Sequence, residues 1–274
     1  MSEAEEAAPG VDPATPTTAR LYDFYLGGSA NFAADRAMAQ RMCELVPEVF
    51  EGAWANRGFH QRAALWMADR GLRQFVDIGA GLPTQGNTHE VVLKVAPDAR
   101  VVYVDIDPMV TAHAAALLTG GASTTFIQAD LRDPEAVLGS PELRKLIDFA
   151  EPVGLLMTAV MHFVTDEDDP WGLVAAYMAE LAPGSYLALS HLTRDGKPRK
   201  AVEGGSELYT RMPENVALRS RADIARFFDG LETEPPYEGA DPDLTFVGTW
   251  GAVDAEMADS DGSRWLYCAV ARRP

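Results

Sequence analysis

Three aspartates follow three successive strands that the sequence predicts. Asp77 lies near the end of the first buried strand, Asp105 ends the second, and Asp130 follows the third. A carboxylate at the second position can accept hydrogen bonds from both hydroxyl groups of a ribose, and one at the third can accept from the amino group of an adenine. Open α/β sheets bind ligands at the carboxyl ends of their strands. The three side chains therefore predict a nucleoside-binding site at this edge of a sheet.

A glycine turn follows the first strand and bears on which ligand the site favours. Gly79 and Gly81 permit a tight bend and a close approach of a ligand to the backbone, although a plain strand-to-helix turn can have the same residues. A dinucleotide fold places a third glycine where this sequence has Thr84. Residues 77–92 contain no Lys or Arg for a pyrophosphate, and Asp77 would repel one. The pattern favours a ligand with a cationic group, such as S-adenosylmethionine, whose amine Asp77 can bind.

The order of predicted elements indicates an α/β fold. From residue 74 strands alternate with helices, which indicates right-handed crossovers and a doubly wound parallel sheet covered on both faces. Residues 19–73 show helical periodicity alone and are expected to form an N-terminal helical cap, while residues 1–18 are predicted to be a disordered tail. The α/β domain is expected over residues 74–274. Strands are predicted at 75–78, 101–104, 124–128, 153–157, 186–190, 244–250 and 265–271, the last two as a hairpin, with an irregular insert at 192–219.

The strand-end motifs resemble those of class I S-adenosylmethionine-dependent methyltransferases. Residues 75–81 resemble that family's first motif, residues 102–105 its acidic second-strand motif, and residues 128–131 its third. A narrower resemblance is to a bacterial methyltransferase-like family formerly filed as a domain of unknown function. It rests on residues 19–28, 31–36, 55–57, 82–90 and 181–185. The resemblance implies a Rossmann-like methyltransferase sheet of seven strands with the last one antiparallel, and S-adenosylmethionine as the cofactor.

The helical cap is expected to close the reacting end of the site, since methyl transfer needs an aligned acceptor and exclusion of water. Tyr22 and Tyr25 are expected to line this end, with packing of the cap on the sheet as the competing interpretation. Arg20 or Arg57 is expected to hold the methionine carboxylate. The full set of expected cofactor-binding residues is Tyr22, Tyr25, Arg20, Arg57, Asp77, Gly79, Ala80, Gly81, Thr84, Asp105, Ile106, Asp130, Leu131 and Thr158.

Two histidines, one that follows the fourth predicted strand and one that ends the fifth, are candidate general bases. His162 and His191 would both face the carboxyl edge, where a base can take a proton from a phenol, acid or amine acceptor. A histidine with its hydrogen bonds satisfied in a loop is the alternative for each. The acidic residues 166–169 are interpreted as a solvated loop, and no spaced set of ligands predicts a metal site. The remaining histidines fall on predicted helices and are interpreted as structural: His60, His89 and His113.

Composition limits the classes of partner. The chain of 274 residues has 41 acidic and 23 basic residues and a formal charge of -18, so binding to nucleic acid or an anionic membrane is not expected. An N-terminus unlike a targeting signal and only two cysteines indicate a cytoplasmic protein. Methyl transfer to a small-molecule acceptor is the favoured function. The alternatives are a non-catalytic protein that binds S-adenosylmethionine or S-adenosylhomocysteine, and a nicotinamide-dependent oxidoreductase. The acceptor and the oligomeric state stay open.

Overall fold

The structure is a computed structural model that describes residues 10–83, 86–117 and 123–274. One sheet dominates this part of the chain. Its strands are β1 (Gln74–Ile78), β2 (Arg100–Asp105), β3 (Thr124–Gln128), β4 (Gly154–Thr158), β5 (Tyr186–Leu192), β6 (Glu232–Thr233), β7 (Thr245–Phe246) and β8 (Leu266–Arg272).

The sheet has the order β3-β2-β1-β4-β5-β8-β6, and β7 pairs with β8 outside this path. Strands β1 to β5 are all parallel to one another, whereas β8 runs antiparallel to β5, β6 and β7. The chain leaves β1 toward β2 and β3 on one side and returns to β4 on the other. This reversal opens a crevice at the carboxyl ends of β1 and β4, as in other doubly wound sheets. The predicted α/β architecture with an antiparallel last strand is confirmed.

Helices cover both faces because successive side chains of a strand point to opposite faces of the sheet. Phe75 and Val101 pack with Met67 on one face, while Val76 and Val102 pack with Val137 on the other. The helices are α1 (Thr18–Tyr25), α2 (Ala33–Leu45), α3 (Val49–Asp69), α4 (Thr88–Val92), α5 (Pro108–Leu117), α6 (Pro134–Gly139), α7 (Pro141–Leu146), α8 (Pro170–Glu180), α9 (Arg199–Tyr209), α10 (Arg221–Ala225) and α11 (Ala255–Ala258). Short 3-10 helices occupy Met161–Phe163, Asp166–Asp168, Arg226–Phe228 and Ser263–Trp265.

The insert at residues 192–219 contains a helix that the sequence analysis missed. Helix α9 includes Gly204 and Gly205, which lower helix propensity and conceal it from pattern reading. The two glycines allow α9 to approach α2 closely, since a Cβ on Gly204 would lie 3.1 Å from Leu45 Cδ1. The insert therefore adds α9 to the layer formed by the N-terminal helices.

The prediction of a final hairpin is wrong in detail. Strand β7 has two residues instead of the predicted 244–250, and α11 lies between β7 and β8. The loop that contains α11 packs closely on Gly248, because an added Cβ there would lie 2.1 Å from the carbonyl oxygen of Ala258. The outer edge of the sheet is instead formed by β6, which pairs with β8 at Thr233 and Glu232.

The segment before α1 forms hydrogen bonds with α1 and with the turn after β2. Arg20 donates hydrogen bonds to the carbonyl oxygens of Asp12 and Thr15, and Thr17 Oγ1 donates to Asp107 Oδ2 at 2.9 Å. Residues 12–17 thus contact the body of the protein, and helix α3 of the expected cap packs directly on the sheet. None of the helices in the described ranges combines the length and apolar character of a membrane span.

Candidate active site

A cavity of about 590 Å³ lies at the carboxyl edge of the sheet. Its floor consists of residues that follow β1, β2, β3, β4 and β5 together with the start of β8, and its roof consists of α1, α2, α3 and α9. Strands β3 and β8 are five positions apart in the sheet, and neighbouring strands lie about 4.8 Å apart, so the lining extends over about 24 Å. A cavity of this volume is in the range of small-molecule and cofactor sites.

The glycine turn after β1 bends toward this cavity. Gly79 and Gly81 have φ values of +68° and +66°, a region that other residues rarely adopt. A Cβ on Gly79 would lie 2.3 Å from Val160 Cγ2, whereas a Cβ on Gly81 would have no atom within 4 Å. Gly79 therefore permits close packing of two loops, and Gly81 leaves open space at the cavity.

The carboxylate of Asp105 is fixed beside this open space. Its Oδ2 accepts a hydrogen bond from the amide of Gly81 at 2.8 Å, and its Oδ1 accepts from the amide of Asp107 at 2.9 Å. Burial raises the pKa of Asp105, and the two amide donors oppose that rise. Each carboxylate oxygen retains a further lone pair for a hydroxyl donor.

A buried polar network connects Asp77 to helix α3. Thr88 Oγ1 donates to Asp77 Oδ2 at 2.6 Å, and His60 Nε2 lies 2.8 Å from Thr88 Oγ1. Since the Thr88 hydroxyl proton goes to Asp77, His60 Nε2 donates to Thr88, and His60 Nδ1 accepts from Thr158 Oγ1 at 2.8 Å. Burial lowers the pKa of His60 to about 3 and raises the pKa of Asp77 to about 6. The 3.5 Å separation of His60 Nε2 and Asp77 Oδ2 is thus a contact of a neutral imidazole and not an ion pair.

A second network lies beside it, at the ends of β4 and β5. Ser190 Oγ donates to Asn56 Oδ1 at 2.5 Å, and Asn56 Nδ2 donates to Tyr22 Oη at 2.9 Å. The Tyr22 hydroxyl in turn donates to the carbonyl oxygen of Ala53 at 3.2 Å. Ala159, with a φ of +54°, donates its amide to Ser190 Oγ. These contacts fix the turn after β4 against α3.

The sequence analysis interpreted His60 as structural and did not single out Asn56. Both line the cavity, together with Arg57. A signal was present in the sequence, since Asn56 and His60 are polar residues four positions apart on one helix and so share one face.

Twelve of the fourteen expected cofactor contacts line the cavity: Tyr22, Tyr25, Arg57, Asp77, Gly79, Ala80, Gly81, Asp105, Ile106, Asp130, Leu131 and Thr158. Asp130 is held by Arg132, whose Nη2 lies 2.6 Å from Asp130 Oδ2, and this contact lowers the pKa of Asp130. Thr84 lies outside the described residues.

Arg20 does not reach the cavity, which corrects the expectation that it could hold a carboxylate of the ligand. Its side chain is 1% exposed and forms an ion pair with Asp35, Nε to Oδ2, at 3.0 Å. Its guanidinium also lies over the ring of Phe32. Asp35 caps the start of α2 by accepting from the amide of Phe32. Arg20 therefore joins α1 to α2.

The model of a family described as S-adenosyl methyltransferase matches residues 4–274. The chain belongs to this family. Residues 4–274 include both the helical layer and the sheet, so membership applies to the whole site.

Two solved structures resemble this methyltransferase over nearly their entire length. One, from Thermobifida fusca YX, is described as a candidate methyltransferase; it is 38% identical, with a TM-score of 0.88 and coverage of 97% of each chain. The other, from Streptomyces avermitilis MA-4680, is described as a DUF574 family protein; it is 38% identical, with a TM-score of 0.88 and coverage of 96% of this chain and 99% of the other. The search of curated proteins found no match.

Family membership identifies S-adenosylmethionine as the cofactor of this methyltransferase, and the cavity fits it. Eight carboxyl side chains and two guanidinium groups of the described residues line the cavity, an excess of negative charge that suits a sulfonium and an amine. The open space at Gly81 adjoins the fixed carboxylate of Asp105, as a ribose would require.

The two candidate bases of the methyltransferase have different environments. His162 lies in the 3-10 helix Met161–Phe163 and lines the cavity. Its Nδ1 is buried and has no hydrogen-bond partner among the described residues. Burial, with His191 and Arg219 nearby, lowers the pKa of His162 well below its usual value, so the imidazole is neutral.

His191 is not at the cavity, which corrects its expected placement. Its ring is completely buried and stacks on Phe227 with the centroids 5.5 Å apart. Arg219 Nη1 donates to His191 Nε2 at 2.7 Å, so Nδ1 carries the proton and donates to the carbonyl oxygen of Leu192 at 2.7 Å. Both nitrogens are thus engaged, and His191 is a core residue. The sequence analysis placed it correctly on β5 but could not tell that it points away from the site.

Proposed function

We propose that this methyltransferase transfers the methyl group of S-adenosylmethionine to a small-molecule acceptor bound in the same cavity. The observation that carries the proposal is the extent of the cavity. Its polar end adjoins β1, β2 and β3, and its lining continues past β4 to Leu192 of β5 and Leu266 of β8. The helical roof encloses this continuation, which suits a small acceptor better than a polymer.

At the polar end, we assign Asp105 to the ribose hydroxyls and Asp130 to the adenine amino group, with Ile106 and Leu131 beside the base. Gly79, Ala80 and Gly81 would allow the ligand to approach the backbone closely. Among the described residues Thr88 is the side-chain donor to Asp77, through Oδ2, and we assign Oδ1 to the cofactor amine.

The methionine carboxylate would lie near the second network. Arg57 lines the cavity there, and its guanidinium, which donates from Nη2 to Asn87 Oδ1 at 3.1 Å, has the positive charge that a carboxylate requires. Tyr22 and Thr158 line the same part of the cavity. Their hydroxyl groups are held in place by Asn56 and His60, so this part of the site is preorganised.

When bound, S-adenosylmethionine supplies an electrophilic methyl group on a sulfonium, and transfer leaves a neutral thioether. We assign His162 as the general base, because its neutral imidazole lines the cavity with Nδ1 unpartnered. The proton that an acceptor hydroxyl releases, as its oxygen bonds to the methyl carbon, would pass to this imidazole. The helical roof excludes water, which would otherwise compete for the proton.

Isothermal titration with S-adenosylmethionine and with NADH tests the cofactor assignment. We expect S-adenosylmethionine to bind and the Asp105→Asn variant to bind it at least about tenfold more weakly, since a charge-assisted hydrogen bond contributes about 1.5–3 kcal/mol. Asp98→Asn is the matched control, because Asp98 is exposed and does not line the cavity. Binding of NADH without binding of S-adenosylmethionine would overturn the proposal.

Release of S-adenosylhomocysteine in the presence of small-molecule extracts tests catalysis. We expect His162→Gln to retain its affinity for S-adenosylmethionine and to lose about 10²- to 10⁴-fold in kcat. Binding without any product release from wild type would support the non-catalytic alternative. A normal kcat in His162→Gln would remove only the assignment of the base.

A further inference from the structure

The end of the cavity away from the glycine turn is lined mainly by apolar and aromatic side chains. We refer to it as the apolar end, and its defining residues are Tyr25, Met42, Val46, Phe163, Tyr209 and Trp265. Tyr25, Met42 and Tyr209 belong to α1, α2 and α9. Val46 follows α2, Phe163 lies in the 3-10 helix after β4, and Trp265 immediately precedes β8. The rings of Phe163 and Tyr209 are 5.8 Å apart, and the His162 ring is 4.2 Å from that of Phe163. Such walls suit a ring-containing ligand, since aromatic pairs favour offset and edge contacts.

Two buried polar atoms of this wall have no partner in the described part of the chain. They are Tyr25 Oη and His162 Nδ1, on side chains that are 5% and 4% exposed. An unpaired buried polar group costs about 1–3 kcal/mol, so native proteins rarely keep one without a function. Tyr22, one turn earlier on α1, shows the contrast because its hydroxyl both accepts and donates a hydrogen bond.

The charge of the lining restricts what can occupy this end. Both guanidinium groups of the cavity, Arg57 and Arg132, are held by polar partners at the cofactor end. Glu48 and Glu214 also line the cavity, and Glu214, whose Oε2 is buried without a partner in the described residues, interacts electrostatically with Asp107 and Asp105. Lys197 lies over the Trp265 ring but does not line the cavity, so among the described residues the lining of the apolar end has no lysine or arginine to pair with a carboxylate or phosphate acceptor.

We infer that the methyl acceptor is an uncharged, ring-containing molecule with a phenol-type hydroxyl, held by Tyr25 Oη and His162 Nδ1 against the apolar end. The inference rests on the proposed function and deepens it. A hydroxyl both donates and accepts, so it can pair with the Tyr25 hydroxyl and with either tautomer of His162. A carboxylate only accepts, and an ammonium nitrogen has no lone pair with which to attack the methyl group. Tyr25 is accordingly a residue of the acceptor site, not of the cofactor site to which the sequence analysis assigned it.

The test measures binding of naphthol, naphthoate and naphthylmethylammonium to the protein loaded with S-adenosylhomocysteine. These probes share one ring system and differ in the polar group. We expect naphthol to bind at least about tenfold more tightly than naphthoate and more tightly than the ammonium. Preference for naphthoate or for the ammonium would overturn the inference.

The Tyr25→Phe variant tests the assigned hydroxyl. We expect it to bind naphthol about three- to tenfold more weakly, the cost of one hydrogen bond, and to bind naphthalene as wild type does. Its melting temperature should not fall, because the hydroxyl has no partner to lose. Tyr237→Phe, at an exposed position away from the cavity, should change none of these values. An unchanged naphthol affinity in Tyr25→Phe, or a lowered melting temperature, would contradict the assignment.

Binding of S-adenosylmethionine and the order of probe affinities test the proposed function and the acceptor class separately. Absence of S-adenosylmethionine binding would overturn the proposed function and this inference together. Normal S-adenosylmethionine binding with the wrong order of probe affinities would overturn the inference alone.

Discussion

Thr88 joins His60 to Asp77 through one hydroxyl group, 2.8 Å from His60 Nε2 and 2.6 Å from Asp77 Oδ2. The hydroxyl donates to the carboxylate and accepts from the imidazole. It thus holds an anionic and a neutral group in fixed protonation states at the floor of the site. The carboxylate of Asp77 is thereby directed by a residue of α4 and a residue of α3.

Thr88→Ala should destabilise the protein by about 1–3 kcal/mol, since it leaves a buried donor and a buried acceptor without a partner. Urea denaturation measures this loss. Thr88→Ser retains the hydroxyl and should recover most of the stability. Equal stability of the alanine and serine variants would show that the hydroxyl does not connect the two groups.

The buried histidines predict a loss of stability in acid. The folded-state pKa values of His60 and His191 are about 3, below the unfolded value of 6.5, so the unfolded chain binds more protons between these pH values. Their contribution is fully present above pH 6.5 and is lost as the pH falls toward 3. Asp77 has the opposite sign, because its folded pKa is raised to about 6, and it offsets part of the loss between about pH 4 and 6.

The slope of the free energy of unfolding against pH measures this effect. His60→Gln should have a shallower decline than wild type between pH 6.5 and 4, and Asp77→Asn a steeper one. His113→Gln is the control on a half-exposed histidine that lies outside the network. A His60→Gln slope equal to that of wild type would contradict a neutral buried imidazole.

Gly79 and Gly81 should respond differently to replacement by alanine. Gly79→Ala introduces a Cβ 2.3 Å from Val160 and should destabilise the fold by more than about 2 kcal/mol. Gly81→Ala has only the cost of positive φ, about 1 kcal/mol, but fills the space next to Asp105. Thermal unfolding and titration with S-adenosylmethionine separate the two effects. Similar behaviour of the two variants would remove the distinction between a packing glycine and a ligand-approach glycine.

Substitution of Arg20 should mainly lower the stability of the protein, whereas substitution of Arg57 should mainly lower its affinity for S-adenosylmethionine. Arg20→Met leaves Asp35 buried without its ion-pair partner, a change that costs about 3–5 kcal/mol. Arg57→Met should lower affinity for S-adenosylmethionine more than it lowers stability. Affinity is measured at a temperature where each variant is folded. An Arg20→Met variant of normal stability would contradict the structural role assigned to this residue.

The strand ends of the site were predictable from the sequence because each is local. Asp77, Asp105 and Asp130 all follow short apolar runs, and strand polarity alone brings such ends to one edge. The partners of these residues were not predictable. His60 and Thr88 are separated by 28 positions and meet only because α3 packs on the sheet beside α4.

The roles of the arginines and the histidines also depend on tertiary contacts that the sequence could not predict. Arg20 and Arg57 are both cationic residues on N-terminal helices, and only the position of Asp35 distinguishes them. His162 follows β4 and His191 lies near the end of β5, yet His191 belongs to the core because Arg219 and Phe227 cover it. Such contacts depend on tertiary packing, which the period of a single element does not encode.

The position of β8 has a consequence for biosynthesis. This strand pairs with β5, β6 and β7, although it is made after all of them. Until it leaves the ribosome, the long apolar edge of β5 has no neighbour on that side, and an open edge of this kind can recruit a strand from another nascent chain. A polypeptide released before Leu266 should therefore aggregate, even though the whole Asp105 and Gly81 region has already been synthesised.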